Sequence, residues 1–134
     1  MINPKDIHEL ISHVETFHDA FGIGNNQKPT VQLEDEDFQL RFDLMKEENE
    51  EYLEAAKNGD LVEVADALGD MMYILFGSIM KHGMQHKIVE VFEEIQKSNM
   101  SKLGADGKPI YREDGKVLKG PNYFKPDIRS ILEK

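Results

Sequence analysis

Glu47-Glu48-Asn49-Glu50-Glu51, followed after a short turn by Glu63-Val64-Ala65-Asp66 and then Asp70, is the stretch that decides what kind of chain this is. Helical periodicity runs through both halves of it, so two helices are expected on either side of Asn58-Gly59. At about 100° per residue the glutamates of the first helix cannot share a face. Phe38, Phe42, Met45 and Tyr52 form its apolar stripe, and Glu50 and Glu54 fall on the far side, toward solvent. Glu48 and Glu51 lie on the shoulder with Leu44 and Ala55, an i, i+3 pair where the buried face begins.

The second helix is apolar around nearly its whole circumference, from Leu61 and Val64 through Leu68, Met72 and Leu75 to Ile79, which predicts burial on most sides. Its one acidic stripe holds Glu63, Asp66 and Asp70, continued by Tyr73 and Gly77. Were that stripe to face Glu48 and Glu51, four or five carboxylates would converge, and they could not all stay ionised without a counter-cation. Mg²⁺ or Mn²⁺ suits such oxygen ligands. Spacing alone leaves a second reading open, since acidic runs on helices are ordinarily solvated faces and Glu63 can be a simple cap.

Working outward, Asn3-Pro4 opens a helix carrying Ile7, Leu10, Ile11, Val14, Phe17 and Phe21 that ends near Gly22. Residues 25–36 form a polar connector to the acidic pair of helices, the second of which starts at Asp60 with Glu63 completing a capping-box spacing. A fourth helix carries Ile88, Val91, Phe92, Ile95 and Met100. The expected fold is all-α, a four-helix-bundle core over residues 1–103. Residues 104–134 read as a basic hairpin and extended tail of the same domain, with a type I′ turn at Asp114-Gly115 and a short last helix capped by Asp127.

The 134 residues carry 16 Lys plus Arg against 26 Asp plus Glu, a net charge of −10. Residues 34–70 alone hold 14 acidic and three basic residues, and residues 97–134 hold nine basic and five acidic, so an acidic middle faces a basic tail. That distribution argues against general nucleic-acid binding. Absence of Cys excludes disulfides, Cys-ligated zinc and thiol chemistry. The longest apolar run, Met71 to Met80, is about half of a membrane span, and a cytoplasmic protein without membrane contact is expected.

The acidic pair with its spacing resembles the ExxE and ExxD motifs of the all-α NTP pyrophosphohydrolases, the superfamily of the MazG-like enzymes, phosphoribosyl-ATP pyrophosphohydrolase and the dimeric dUTPases. Phe17-His18 with Phe21-Gly22, Ser98-Asn99-Met100-Ser101-Lys102, and Lys116 through Tyr123 also look like a MazG-like subgroup, so the resemblance covers nearly the whole chain. It implies Mg²⁺ held by Glu48, Glu51, Glu63 and Asp66, with Asp70 as the other registration of the helix-three ligand and Glu47 as a further site carboxylate. The implied reaction is NTP or dNTP plus water to NMP or dNMP plus pyrophosphate, with Glu47 or Glu48 orienting or deprotonating the water. Asn99, Lys102, Lys116, Lys119, Tyr123 and His18 are the implied substrate contacts, and a homodimer or homotetramer the implied assembly.

Two other readings stand beside this one. The first is a non-catalytic helical oligomerisation or nucleotide-sensing protein, and the second a phosphoribosyl-ATP pyrophosphohydrolase-like activity. A di-iron bundle needs two Glu-x-x-His motifs and only Glu15-Thr16-Phe17-His18 is present, while phosphate-loop and EF-hand motifs are missing.

Overall fold

A computed structural model describes residues 3–33 and 37–134, so residues 34–36 of the expected connector lie outside the described residues. Helices α1 (Pro4–Ala20), α2 (Asp37–Lys57), α3 (Leu61–Lys81), α4 (Ile88–Met100) and α5 (Ile128–Leu132) make the protein all-α, with bounds within a few residues of those the sequence implies. Among the described residues the only β pairing is an isolated bridge between Tyr111 and Val117, and no helix is long and apolar enough to cross a membrane. The chain divides into two compact units, Met1–His86 and Lys87–Lys134.

In the first unit α2 and α3 pack along each other and α1 packs on α3. The corner between α2 and α3 is very tight. Gly59, at φ +67°, donates to the Ala56 carbonyl at 3.2 Å, and Asp60 N–H reaches back to the Ala55 carbonyl at 3.0 Å. This pairing ends α2 with its last carbonyls satisfied. Asp60 then caps α3 by accepting from the Glu63 N–H at 3.1 Å. The capping box is thus half realised, because the Asp60 N–H is already committed to α2.

Antiparallel rungs follow from that corner. Lys81 pairs with Asp37 at 2.8 Å, and Arg41 donates to Ser78 Oγ at 3.0 Å and to the Ile74 carbonyl at 2.7 Å. The side of α2 that meets α3 therefore carries Arg41 and Glu48 rather than the expected stripe, whose Phe38 and Phe42 are 60% and 59% exposed. Likewise α3 is less enclosed than its composition predicts, with Leu61 79% and Val62 75% exposed. Three helices cannot surround a fourth side, and the fully enclosed positions shrink to residues such as Val14, Ala67 and Met80.

The segment after α1 is strapped to the end of α3. Asn26 N–H reaches the Met80 carbonyl at 3.0 Å and Thr30 N–H the His82 carbonyl at 2.9 Å, while the buried Lys81 donates to the Gly24 carbonyl at 2.6 Å. Gly83, at φ +66°, lies so close to this strap that a Cβ would stand 2.0 Å from the Lys28 carbonyl oxygen.

In the second unit α4 packs with α5, whose cap Asp127 accepts from Ser130 N–H at 3.2 Å as expected. The hairpin differs in its turn. Gly115, at φ +89°, donates to the Arg112 carbonyl at 2.9 Å and Arg112 N–H to the Lys116 carbonyl at 2.8 Å. That is a three-residue loop, Glu113 to Gly115, instead of the two-residue type I′ turn; Asp114 is bound to the Arg112 guanidinium and, at 3.1 Å, to Lys116 N–H, which favours the longer form.

Gly83→Ala is expected to cost ~3 kcal/mol, combining a left-handed backbone with a backbone clash, and Gly59→Ala, which has open space, only ~1 kcal/mol. Denaturant midpoints of the two variants check this; equal losses would contradict the strap's close approach.

Candidate metal and nucleotide site

The α2–α3 seam brings Glu48, Glu51, Asp66 and Asp70 together. Withdrawal from water raises the Glu48 carboxyl from an ordinary 4.5 to about 7, reinforced by a hydrogen bond to Glu51 and by the charges of Asp70, Glu51 and Asp66. Asp70 is pushed up by burial and then by Asp66 and Glu51. Glu48 Oε2 is buried and has no hydrogen-bond donor. With both carboxylates ionised that oxygen is orphaned, and it finds a partner only by carrying a proton toward Glu51 or by meeting a cation.

Both Asp66 and Asp70 belong to this cluster, so the two registrations are neighbours on one stripe. Glu63 does not join it: its side chain is exposed in the first turn of α3, and it is not among the charges acting on Glu48 or Asp70. Glu47 is exposed beside the cluster, and Glu50 and Glu54 point to solvent as their helical angle predicts. Among the described residues no three acidic or histidine side chains stand close enough to ligate one ion as they are. The acids form a coupled cluster, not a closed coordination shell. Oxygen donors of high charge with an unmet lone pair suit a hard divalent cation, which would draw them inward.

About one turn further along the same seam opens a cavity of about 450 Å³, lined among others by Phe17, His18, Arg41, Leu44 and Tyr73. Leu44 is four residues before Glu48 and Tyr73 three after Asp70, so the cavity lining begins about one helical turn from the acids. His18 is 2% exposed, with Nδ1 2.8 Å from Asn25 Oδ1. The Phe17 ring meets Tyr73 edge-on at 5.6 Å between centroids. Arg41, Asn25 and Lys81 escaped the sequence reading. Arg41 sits seven residues before Glu48 on the same face of α2, the one signal that pointed to it.

The remaining expected substrate residues lie in the second unit, where two distant motifs are laced together. Ser98 Oγ donates to the Phe124 carbonyl at 2.9 Å, and Phe124 N–H to Ser101 Oγ at 3.1 Å. Gly120 N–H donates to the Lys102 carbonyl at 2.8 Å, and a Cβ there would stand 2.2 Å from the Leu103 carbonyl oxygen. Lys102 is thereby held beside Gly120, with Asn99 exposed in the last turn of α4. Lys119 Nζ lies 4.8 Å from the centre of the Tyr123 ring, a cation–π contact. Lys116 is exposed on the hairpin.

Residues 14–99 match the family model described as phosphoribosyl-ATP pyrophosphohydrolase. Uncharacterized protein L479 of Acanthamoeba polyphaga mimivirus is 33% identical over 112 residues, which take in 79% of this chain. The chain spans 45% of that relative's length. The crystal structure of a "putative NTP pyrophosphohydrolase" from Exiguobacterium sp. 255-15 shares the fold, with a TM-score of 0.52 at 24% identity over 92% of this chain and 94% of that one. With more than half its length on the family model, including both acidic motifs, the chain belongs to the phosphoribosyl-ATP pyrophosphohydrolase family.

Proposed function

We propose that the protein is a Mg²⁺-dependent nucleoside triphosphate pyrophosphohydrolase that converts NTP or dNTP and water to the monophosphate and pyrophosphate. The observation that carries this is the like-charged seam of Glu48, Glu51, Asp66 and Asp70 with the orphaned Glu48 oxygen. A fold that gathers four carboxylates weakens itself unless a ligand offsets their repulsion, and a divalent cation held among them would do so. Mn²⁺ is the natural substitute.

A divalent cation held there would neutralise charge on the phosphates and ease deprotonation of the attacking water. Glu48, Glu51, Asp66 and Asp70 would hold it in this reading, with Glu63, exposed in the first turn of α3, as a further candidate ligand. Glu47, exposed next to the cluster, or Glu48 takes the proton of the water that cleaves the anhydride between the α- and β-phosphates. Within the second unit Lys102, Lys116 and Lys119 are the candidates to screen phosphate and Asn99 and Tyr123 to meet a sugar, and within the first His18 is the candidate for the base side. Exposed Phe38, Phe42, Leu61 and Val62 support assembly into a homodimer or homotetramer in the cytoplasm. The family model's own description supports phosphoribosyl-ATP as a second substrate class.

Purified protein is expected to release pyrophosphate, and not inorganic phosphate, from at least one member of a panel of common NTPs, dNTPs and phosphoribosyl-ATP, and to stop when the metal is chelated. Glu51→Gln should lower kcat on the order of 100-fold or more, while Glu50→Gln and Glu54→Gln leave it within about 2-fold. Silence across the whole panel would favour a nucleotide-sensing or scaffolding protein.

A pH dependence follows from Glu48. Its carboxyl titrates higher in the folded chain than the ordinary 4.5, so its favourable contribution is complete below that value and is lost as pH rises through about 7. The melting temperature of metal-free protein should therefore fall between about pH 5 and pH 8, and millimolar Mg²⁺ should flatten the slope. A metal-free protein equally stable at both ends would contradict the coupled seam.

A further inference from the structure

A second cavity, of about 260 Å³, runs along α1 and shares no lining residue with the one near the acids. His8, Ile11, Ser12 and Glu15 line it from α1, on one stripe of the helix by their spacing, and Gln85 and His86 line it from the segment after α3. All six belong to the first unit. His8, Ser12, Glu15 and His86 are exposed, and among the described residues none of these side chains enters a hydrogen bond or ion pair. Gln85, by contrast, is only 7% exposed. Its Nε2 donates to the Asn26 carbonyl at 2.9 Å and faces Gln27 Oε1 at 3.5 Å. Exchanging nitrogen and oxygen would set oxygen against oxygen twice, so the amide orientation is fixed. Gln85 Oε1 is then a buried acceptor with no donor, an arrangement that folded proteins rarely leave unmet.

The lining is rich in acceptors and poor in donors. Glu15 only accepts, Gln85 has both amide N–H bonds directed at other oxygens, and each uncharged imidazole of His8 and His86 offers one accepting nitrogen. Glu15 supplies the one full charge, and it is negative. An anionic ligand is repelled there, whereas an ammonium group, with three donors and no acceptor, is the complement. His8 and Glu15 are seven residues apart, roughly 10 Å along the helix, with the apolar Ile11 between them. Acceptors at both ends and an apolar middle match a methylene chain that carries ammonium groups. The volume lies just below the ~300–1,000 Å³ of sites for drug-sized ligands, a scale suited to so thin a molecule.

We propose that this cavity binds a linear aliphatic polyamine, with Glu15 as the carboxylate partner of one ammonium, Ile11 beneath the methylenes, and His8, His86 and Gln85 Oε1 as the neutral acceptors. Neither the carboxylates of the α2–α3 seam nor a metal takes part, so the site stands apart from the nucleotide reading.

Nuclear magnetic resonance of isotope-labelled protein at near-physiological salt locates and measures the binding together, with spermidine and n-butylamine as probes. Spermidine should shift the Ile11 methyl and the His8 and His86 ring signals saturably, and bind at least about 10-fold tighter than n-butylamine. Glu15→Gln should weaken spermidine about 10-fold, while Glu50→Gln, the same loss of charge on an exposed face of α2, changes it less than about 2-fold. Both glutamates are exposed, so folding tolerates either substitution. Replacing His8 and His86 together by leucine should weaken spermidine as well and leave Glu15 as the remaining anchor. Cavity signals that do not move, n-butylamine binding as tightly as spermidine, or equal weakening by Glu15→Gln and Glu50→Gln, the mark of diffuse attraction to an acidic protein, overturns the proposal. Weakening by Glu51→Gln in place of Glu15→Gln would put the polyamine at the seam and overturn it too.

Discussion

Everything in the first unit depends on the corner at Gly59 and Asp60. One left-handed glycine and one aspartate whose N–H closes α2 while its carboxylate opens α3 leave no slack between the helices. With no slack, register is fixed. Glu48 and Glu51 must meet Asp66 and Asp70, and Arg41 must meet Ile74 and Ser78, because the antiparallel seam offers no other partners at those heights. The cavity opens where the seam reaches Tyr73 and the end of α1.

That register sets local chemistry against stability. Carboxylates that would repel in water are brought together and partly desolvated, and the fold accommodates them by keeping Glu48 protonated toward neutrality. Local conflict of this kind, in a helix pair whose corner is closed by Gly59 and Asp60, points to a place shaped for a ligand more than for folding. The polar seam also explains why the apolar stripes of α2 and α3 stay exposed: the faces that meet each other are occupied by Arg41, Glu48 and the aspartates, so Phe38, Phe42 and Leu61 point away.

Helix order, helix bounds and the acidic pair were legible in the sequence because each rests on local signals: periodicity, Asp60 before Glu63, glycines at Gly22 and Gly59. The convergence of Glu48 with Asp70 was legible as a shared shoulder and stripe, since helical angle is arithmetic. Which face of α2 meets α3 was not. Amphipathicity assigns the apolar side inward, and a site built from charges reverses that rule. Arg41 carried one faint signal, its place on the Glu48 face, and Asn25 none, since single polar residues acquire meaning only through the partners the fold supplies, Ile74 and Ser78 for the one and His18 for the other. The turn at Gly115 depended on the Asp114 side chain binding Arg112 and Lys116, a choice between loop lengths that Asp-Gly alone does not encode.

The proposed exchange of protons for a divalent cation at the α2–α3 seam can be measured directly. Calorimetric titration of Mn²⁺ into metal-free protein, repeated near pH 6.5 in buffers of different ionisation enthalpy, measures both binding and the protons displaced. Saturable binding with net proton release, diminishing toward pH 8 and abolished in Glu48→Gln, is the predicted result. Absence of saturable binding, or binding that releases no proton and survives Glu48→Gln, would contradict it.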